Sequence, residues 1–389
     1  MPTMTQPSTG EQTCTLVTGG VDTHQDTHTA VALDQTGRLL GHRQFPATAP
    51  GYASLLAWLR GFGLLVAAGI EGTGAYGAGL AAVLQAAGIE LVEVDRPDRR
   101  TRRRQGKSDP VDAEAAARAA QARRATTGTP KTRGRRVDAL RALRVARRSA
   151  VAARAQAQTQ MKSLIVTAPE PLRATVRALG DRELIAHCTT RRPDRTRVED
   201  PTVAAMLALR SLARRHQELC AEITELDTLI TPLVAALNPA LLALTGVGPD
   251  VAGQLLVTAG DNPERLRSEA AFAMLCGAAP LPASSGRTVR HRLNRGGDRQ
   301  ANAALYRIVL CRLRWDPRTR AYAARRTAEG MTRKEIIRCL KRYVAREVYT
   351  ALLNPRPSSV PATTSTAPEE STWSARSAAR TNDVDTDKR

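Results

Sequence analysis

Apolar and polar positions fall into short blocks along the first hundred residues. Residues 15–21 form an apolar run that stops at Asp22, residues 27–33 a second, and residues 38–45 a third after the turn Asp34-Gln35-Thr36-Gly37. Short runs bounded by turn-forming residues predict strands. Residues 51–60 follow with a helical pattern. Residues 64–70 are then an apolar, buried-type strand that runs into Glu71, residues 76–87 are helical, and residues 90–94 are a short strand. Residues 111–164 are mostly helical and rich in Ala and Arg, with an interruption at Thr126-Thr127-Gly128-Thr129-Pro130.

Over residues 203–233 the period sharpens. Leu209, Leu212, His216, Leu219, Ile223, Leu226, Ile230 and Leu233 are spaced alternately by three and four, a heptad seam of just over three repeats. Such a seam suits a coiled coil that pairs subunits. It equally suits an amphipathic helix packed on its own chain. Pro239 marks the next boundary, and residues 239–353 read as a further, mostly helical region.

The order β-β-β-α-β-α-β is a three-strand meander followed by right-handed crossovers, the ribonuclease-H-like arrangement. The expected fold class is therefore an α/β N-terminal ribonuclease-H-like domain, then coiled-coil helices, then a mainly α-helical C-terminal domain. Boundaries are expected at 1–13 (disordered tail), 14–127 (ribonuclease-H-fold domain), 128–237 (Arg-rich helices and coiled coil), 238–353 (C-terminal domain) and 354–389 (a disordered tail rich in Pro, Ser and Thr).

Composition narrows the partners. The 389 residues include 58 Lys+Arg against 37 Asp+Glu, a net charge of +21, which favours a polyanion such as nucleic acid. The excess is clustered: between Arg96 and Arg148 there are 18 basic and 5 acidic residues, including Arg102, Arg103, Arg104 and Lys107. Arg141, Arg144 and Arg148 follow at spacings of three and four, which place them on one helix face. A second cluster contains Arg290, Arg292 and Arg295. Aromatic residues make up only 3% of the chain, too few for a single-strand stacking platform, so backbone and shape recognition fit better. No window approaches 18 uninterrupted apolar residues, so no membrane-spanning helix is expected. The six cysteines form no CxxC pair, which argues against a zinc ribbon or a disulfide framework and for a reduced, cytoplasmic setting. With a nucleic-acid partner, the expected place there is nucleoid-associated.

Four acids stand out by position. Asp22 ends the first strand and Glu71 the fourth, while Asp109 and Asp112 open a helix with Pro110 between them. With Asp109 as N-cap, Pro110 is N1 and Asp112 is N3. Singly, each has an ordinary explanation as a cap or a loop acid. Converging, they would repel strongly unless they held one or two divalent cations, and Mg2+, which prefers hard oxygen ligands, suits phosphodiester chemistry. Further along, Gly246-Val247-Gly248-Pro249 between two apolar stretches is the kind of turn that points backbone N–H groups at a phosphate. It is equally a simple turn between packed helices. Arg295-Gly296-Gly297-Asp298 would lead into a helix capped by Asp298.

Three segments together carry a resemblance. Gly20-Val21-Asp22-Thr23-His24, Glu71-Gly72-Thr73-Gly74-Ala75-Tyr76 and Gly106-Lys107-Ser108-Asp109-Pro110-Val111-Asp112-Ala113 resemble the RuvC-like domain of the insertion-sequence 110 family of bacterial transposases. Gly246-Val247-Gly248, Cys276-Gly277-Ala278-Ala279-Pro280, Ser284-Ser285-Gly286 and Arg295-Gly296-Gly297-Asp298 are similar to that family's C-terminal transposase domain. One departure is Gln25, where the family often carries Lys. The resemblance implies a DNA recombinase in which four metal-binding acids, here Asp22, Glu71, Asp109 and Asp112, are joined by a C-terminal serine, here Ser285 with Ser284 as runner-up. It also implies a phosphoserine link to DNA, dimers or higher homo-oligomers, and a structured non-coding RNA that pairs with donor and target DNA. Two rivals stay open: a metal-dependent junction nuclease that uses water alone, and a non-catalytic nucleic-acid-binding scaffold.

Overall fold

The computed structural model describes residues 15–94, 108–122, 129–132, 135–284 and 291–355. Its N-terminal part is a five-stranded mixed sheet with the order β3-β2-β1-β4-β5. Strands β1 (Leu16–Thr23), β2 (Thr27–Leu33) and β3 (Leu39–Pro46) form the antiparallel meander, while β4 (Leu64–Glu71) and β5 (Glu90–Val94) lie parallel to β1. This is the arrangement that the sequence pattern predicts. Helices α1 (Ala49–Arg60) and α2 (Ala78–Ala86) cover one face, burying Leu55, Leu59, Leu80 and Leu84 against Val17, Val21 and Ile70.

Helix α3 (Asp109–Gln121) covers the other face, and its approach is unusually close. A Cβ built on Gly20 would stand 2.1 Å from the Ala113 carbonyl oxygen and 2.3 Å from the Ala117 nitrogen; one on Gly69 would stand 2.2 Å from the Ala116 oxygen. The helix meets them with Ala113, Ala116, Ala117 and Ala120, all buried. Two glycines on adjacent strands and four alanines on the helix thus let backbone rest on backbone, which fixes where the start of α3 stands over the strand ends. The Gln121 side chain donates to the Asp34 carbonyl at 2.8 Å and anchors the far end.

Beyond the sheet, α4 (Arg136–Thr167) and α7 (Pro201–Leu237) run as a long antiparallel hairpin. At its tip α5 (Glu170–Val176) and α6 (Asp181–Thr190) close a small core of Met161, Leu172, Leu184, Leu209 and Ala213. The heptad seam is used within this chain: Leu209 belongs to the tip core, Ile230 packs in a second core with Leu140 of α4, and Asp227 beside it binds Arg147 of α4. The remaining helices are α8 (Pro239–Leu242), α9 (Pro249–Ala259), α10 (Glu269–Leu275), α11 (Arg299–Trp315), α12 (Pro317–Ala328) and α13 (Arg333–Leu353). They bury Phe272, Leu255, Leu305, Ile308, Leu340 and Val348 together. Asp298 caps α11 as expected, accepting from the backbone N–H groups of Gln300 and Ala301. No helix among the described residues is long and apolar enough to cross a membrane.

One polar cluster ties the hairpin to this C-terminal body. Asp250, in the first turn of α9, accepts from Arg144 at 2.7 Å, Arg147 at 3.3 Å and Arg307 at 2.5 Å. The Arg144 side chain is only 12% exposed, so removal of its carboxylate would strand a nearly buried charge. We expect Asp250→Asn to cost about 1–2 kcal/mol at neutral pH, read as the urea midpoint. These arginines hold the Asp250 carboxyl below its ordinary value of 3.8 against the opposing effect of burial. A depressed folded value means the contribution is present above the unfolded value and is lost as pH falls through the folded one. The gap between wild type and variant therefore closes below about pH 4.

Candidate active site

The sheet register brings the first two acids together. β1 and β4 run parallel with Val21 opposite Ile70, so Asp22 and Glu71 emerge side by side at the strand ends. The Thr23 hydroxyl donates to the Glu71 carbonyl at 2.8 Å and staples the two ends. Next to Glu71, the buried Thr73 donates to Glu93 of β5 at 2.5 Å.

Helix α3 brings the other two. Its N-cap is Ser108, in extended conformation, with Asp109 in the first helical position. This corrects the expected cap by one residue: Asp112 stands at N4, and its backbone N–H donates to the Ser108 carbonyl at 3.1 Å. Asp22 and Asp112 are buried, at 9% and 5% exposure, and the Asp109 carboxylate is more open. Burial, the largest effect, raises the Asp22 carboxyl above its ordinary value; the charges of Asp112 and Asp109 push the same way, and His24 opposes them.

The sequence reading gave His24 no role, yet it is central here. Its backbone N–H donates to the Thr27 carbonyl at 3.0 Å, closing the turn from β1 to β2. Its ring Nε2 stands 3.2 Å from Asp22 Oδ2 and 3.4 Å from Asp109 Oδ1. Asp22, His24 and Asp109 each place one metal-ligating atom within 4.8 Å of the other two. The charge of Asp112 also acts on Asp22, whereas for Glu71 the sheet brings only its strand end beside that of Asp22. A signal for His24 was available: two residues beyond Asp22, strand periodicity points it to the same side. The donor set is carboxylate oxygen with one imidazole, and two of its acids are shielded from water. That set fits a divalent cation of the Mg2+ or Mn2+ kind.

Ser285 and Arg290 lie outside the described residues, as do Arg102, Arg103, Arg104 and Lys107. The pairs Leu281–Arg292 and Pro282–His291 join the two arms flanking Ser285, and Ser284 is exposed on the first arm. Arg292, Arg295 and Arg148 are exposed. Arg141 is exposed and pairs with Asp138 at 2.7 Å. Arg144 departs from the expected common face: it turns inward to Asp250 and Gln254. The turn at Gly246 has φ +79°, which a glycine adopts without strain, and Gly248 caps α9. The first turn of α9 carries an anion of the chain's own, Asp250, already neutralised by arginines.

A basic surface that the sequence reading missed lies near the hairpin tip. Burial first, and then the charges of Arg214, Arg195 and Arg192, press the Arg210 guanidinium below its ordinary value. The first three are exposed. They come from two segments that only the folded hairpin brings together, so no single charge run announces them.

Comparison with known proteins agrees with this architecture. A DEDD-type IS110 family model described as "Transposase" matches residues 19–168, which include all four acids. A second, described as "Transposase IS116/IS110/IS902 family", matches residues 238–324. The chain is also 34% identical over 120 residues to the insertion element IS110 uncharacterized 43.6 kDa protein of Streptomyces coelicolor. That alignment covers 30% of this chain and 29% of the relative's length. The two matched segments, in this order on a ribonuclease-H-like sheet and a helical C-terminal region, place the chain in the IS110 family of transposases.

Proposed function

We propose that this protein is a DNA transposase that cuts and rejoins the strands of an insertion sequence. The observation that carries the reading is the convergence of Asp22 and His24, at the end of β1, with Asp109 and Asp112, at the start of α3. Asp22, Glu71, Asp109 and Asp112 would hold Mg2+, which when bound supplies electrophilic stabilisation of the charge that develops on phosphate oxygens. The acids orient that charge, and the buried Asp22 and Asp112 keep their oxygens from bulk water.

In this reading Ser285 is the nucleophile. Its Oγ forms a bond to the scissile phosphorus while the bond from phosphorus to a deoxyribose oxygen breaks. The serine hydroxyl gives up its proton and the departing oxygen takes one up. Phosphodiester is exchanged for phosphodiester, so rejoining needs no external energy source. The hydroxyl must reach the acids either within one subunit or across a homodimer or larger assembly. The exposed arginines support a nucleic-acid partner read through its backbone, and a structured non-coding RNA, which family likeness suggests, would present an A-form duplex to them.

Wild type with substrate DNA and the RNA that co-purifies with it is expected to form a protein–DNA adduct that resists denaturation. Ser285→Ala is expected to abolish the adduct without reducing DNA binding, as read on a denaturing gel beside a filter-binding assay. Nicked product with no adduct in the wild type would instead establish hydrolysis by water.

A further inference from the structure

The four acids leave one group at the site unaccounted for, the imidazole of His24. We propose that His24 is a direct ligand of the metal, sharing it with Asp22 and Asp109, and that it biases the site toward Mn2+ over Mg2+. The inference rests on the metal-site reading above and adds the ligand that sets its preference.

Geometry comes first. The Nε2 distances of 3.2 Å and 3.4 Å to two carboxylate oxygens are those of neighbouring donors around one ion. Donors held about 2.1 Å from a six-coordinate ion stand about 3 Å apart. A contraction of a few tenths of an ångström would make these three atoms one face of a coordination shell.

The chemistry of the ring points the same way. A neutral imidazole offers a single N–H, and at Nε2 that hydrogen cannot lie in line with both Asp22 Oδ2 and Asp109 Oδ1. A lone pair on Nε2, turned to a cation that both carboxylates also bind, satisfies all three groups at once. The main chain that carries the ring is fixed by the His24 N–H, which donates to the Thr27 carbonyl. The side chain is 48% exposed, so an incoming ion has a path to it. The ligands come from the β1–β2 turn and from the first position of α3, so a bound ion would join two elements that the chain separates by more than eighty residues. Mg2+ favours an all-oxygen shell, whereas imidazole nitrogen suits transition ions. A nitrogen in this shell therefore moves preference toward Mn2+.

The test uses the full-length protein and Mn2+ itself as the probe. Pulsed electron paramagnetic resonance of bound Mn2+ is expected to show coupling to a directly bonded nitrogen in wild type and none in His24→Ala. Mn2+ affinity should fall at least about tenfold in that variant, while Mg2+ affinity, measured by competition, falls less. His24→Asp, which restores an oxygen donor, should bind Mg2+ as well as wild type or better and still lack the nitrogen signal. Melting curves in metal-free buffer establish that both variants are folded. Mn2+ bound in wild type without nitrogen coupling, or with the same affinity in His24→Ala, overturns the role of His24 and leaves the acidic site standing. If wild type binds neither ion, or binds Mn2+ equally well as the double variant Asp22→Asn with Asp109→Asn, the metal-site reading itself fails.

Discussion

Asp22→Asn should lower strand cleavage by on the order of a thousandfold or more, leave nucleic-acid affinity within a few-fold, and leave the metal-free protein as stable as wild type or more so. The three outcomes share one cause. Asp22 is nearly buried, and its carboxyl is raised by that burial and by the charges of Asp112 and Asp109. An acid whose folded value lies above its unfolded value loses stability as pH rises through the unfolded and then the folded value, so at neutral pH its charge is a cost to the fold. The amide keeps the shape and removes that charge. The metal loses a ligand, and the phosphate backbone loses only a repulsive neighbour. Added Mg2+ should raise the melting temperature of wild type, because a ligand that binds only the folded state stabilises it. In the variant the same addition should do little. Cleavage that survives in Asp22→Asn with a normal Mg2+ response would remove this residue from the site.

Gly20→Val should unfold or severely loosen the N-terminal sheet, by upwards of about 3 kcal/mol, and abolish cleavage with it. Its first side-chain carbon would collide with the backbone of α3 at Ala113 and Ala117, and backbone cannot swing aside as a side-chain tip can. The helix must lift, and Asp109 and Asp112 ride on its first turn. A built-in control is the next residue back. At Gly19 the added carbon meets side chains rather than backbone, Leu59 at 3.0 Å and Ala68 at 3.6 Å, so Gly19→Ala should cost much less. Chemical denaturation of both variants, followed by circular dichroism, checks the pair. Equal midpoints would mean that the close approach of α3 is not what seats the acids.

Strand positions were highly legible in the sequence: residues 27–33 and 90–94 are found as β2 and β5 without change. Such strands are short apolar runs between turn formers, and the period of two leaves little choice. Asp22, Asp109 and Asp112 stood out in the sequence because they sit at element ends, where a polar residue interrupts an apolar run. The cap of α3 was misplaced because Asp, like Ser, is a good N-cap, and only backbone conformation shows that the extended residue is Ser108. The seam of α7 was legible as a seam, but a heptad period does not say whose helix fills it. The answer lies in α4, whose Ala- and Arg-rich sequence shows the inward face poorly. Arg144 illustrates this. It lies one turn beyond the buried Leu140 and so shares its inward face, and its charge is cancelled by Asp250, more than a hundred residues later.

The helical hairpin sets a spacing. Arg147 pins α4 to Asp227 and Asp250, and from there α4 continues without a break to Thr167 at the tip. Twenty residues of α-helix span roughly 30 Å, close to one full turn of a DNA duplex at about 34 Å. The C-terminal body and the arginines around Arg210 are therefore held apart like the two jaws of a calliper. A double helix laid along the arm would offer both jaws the same side of its backbone.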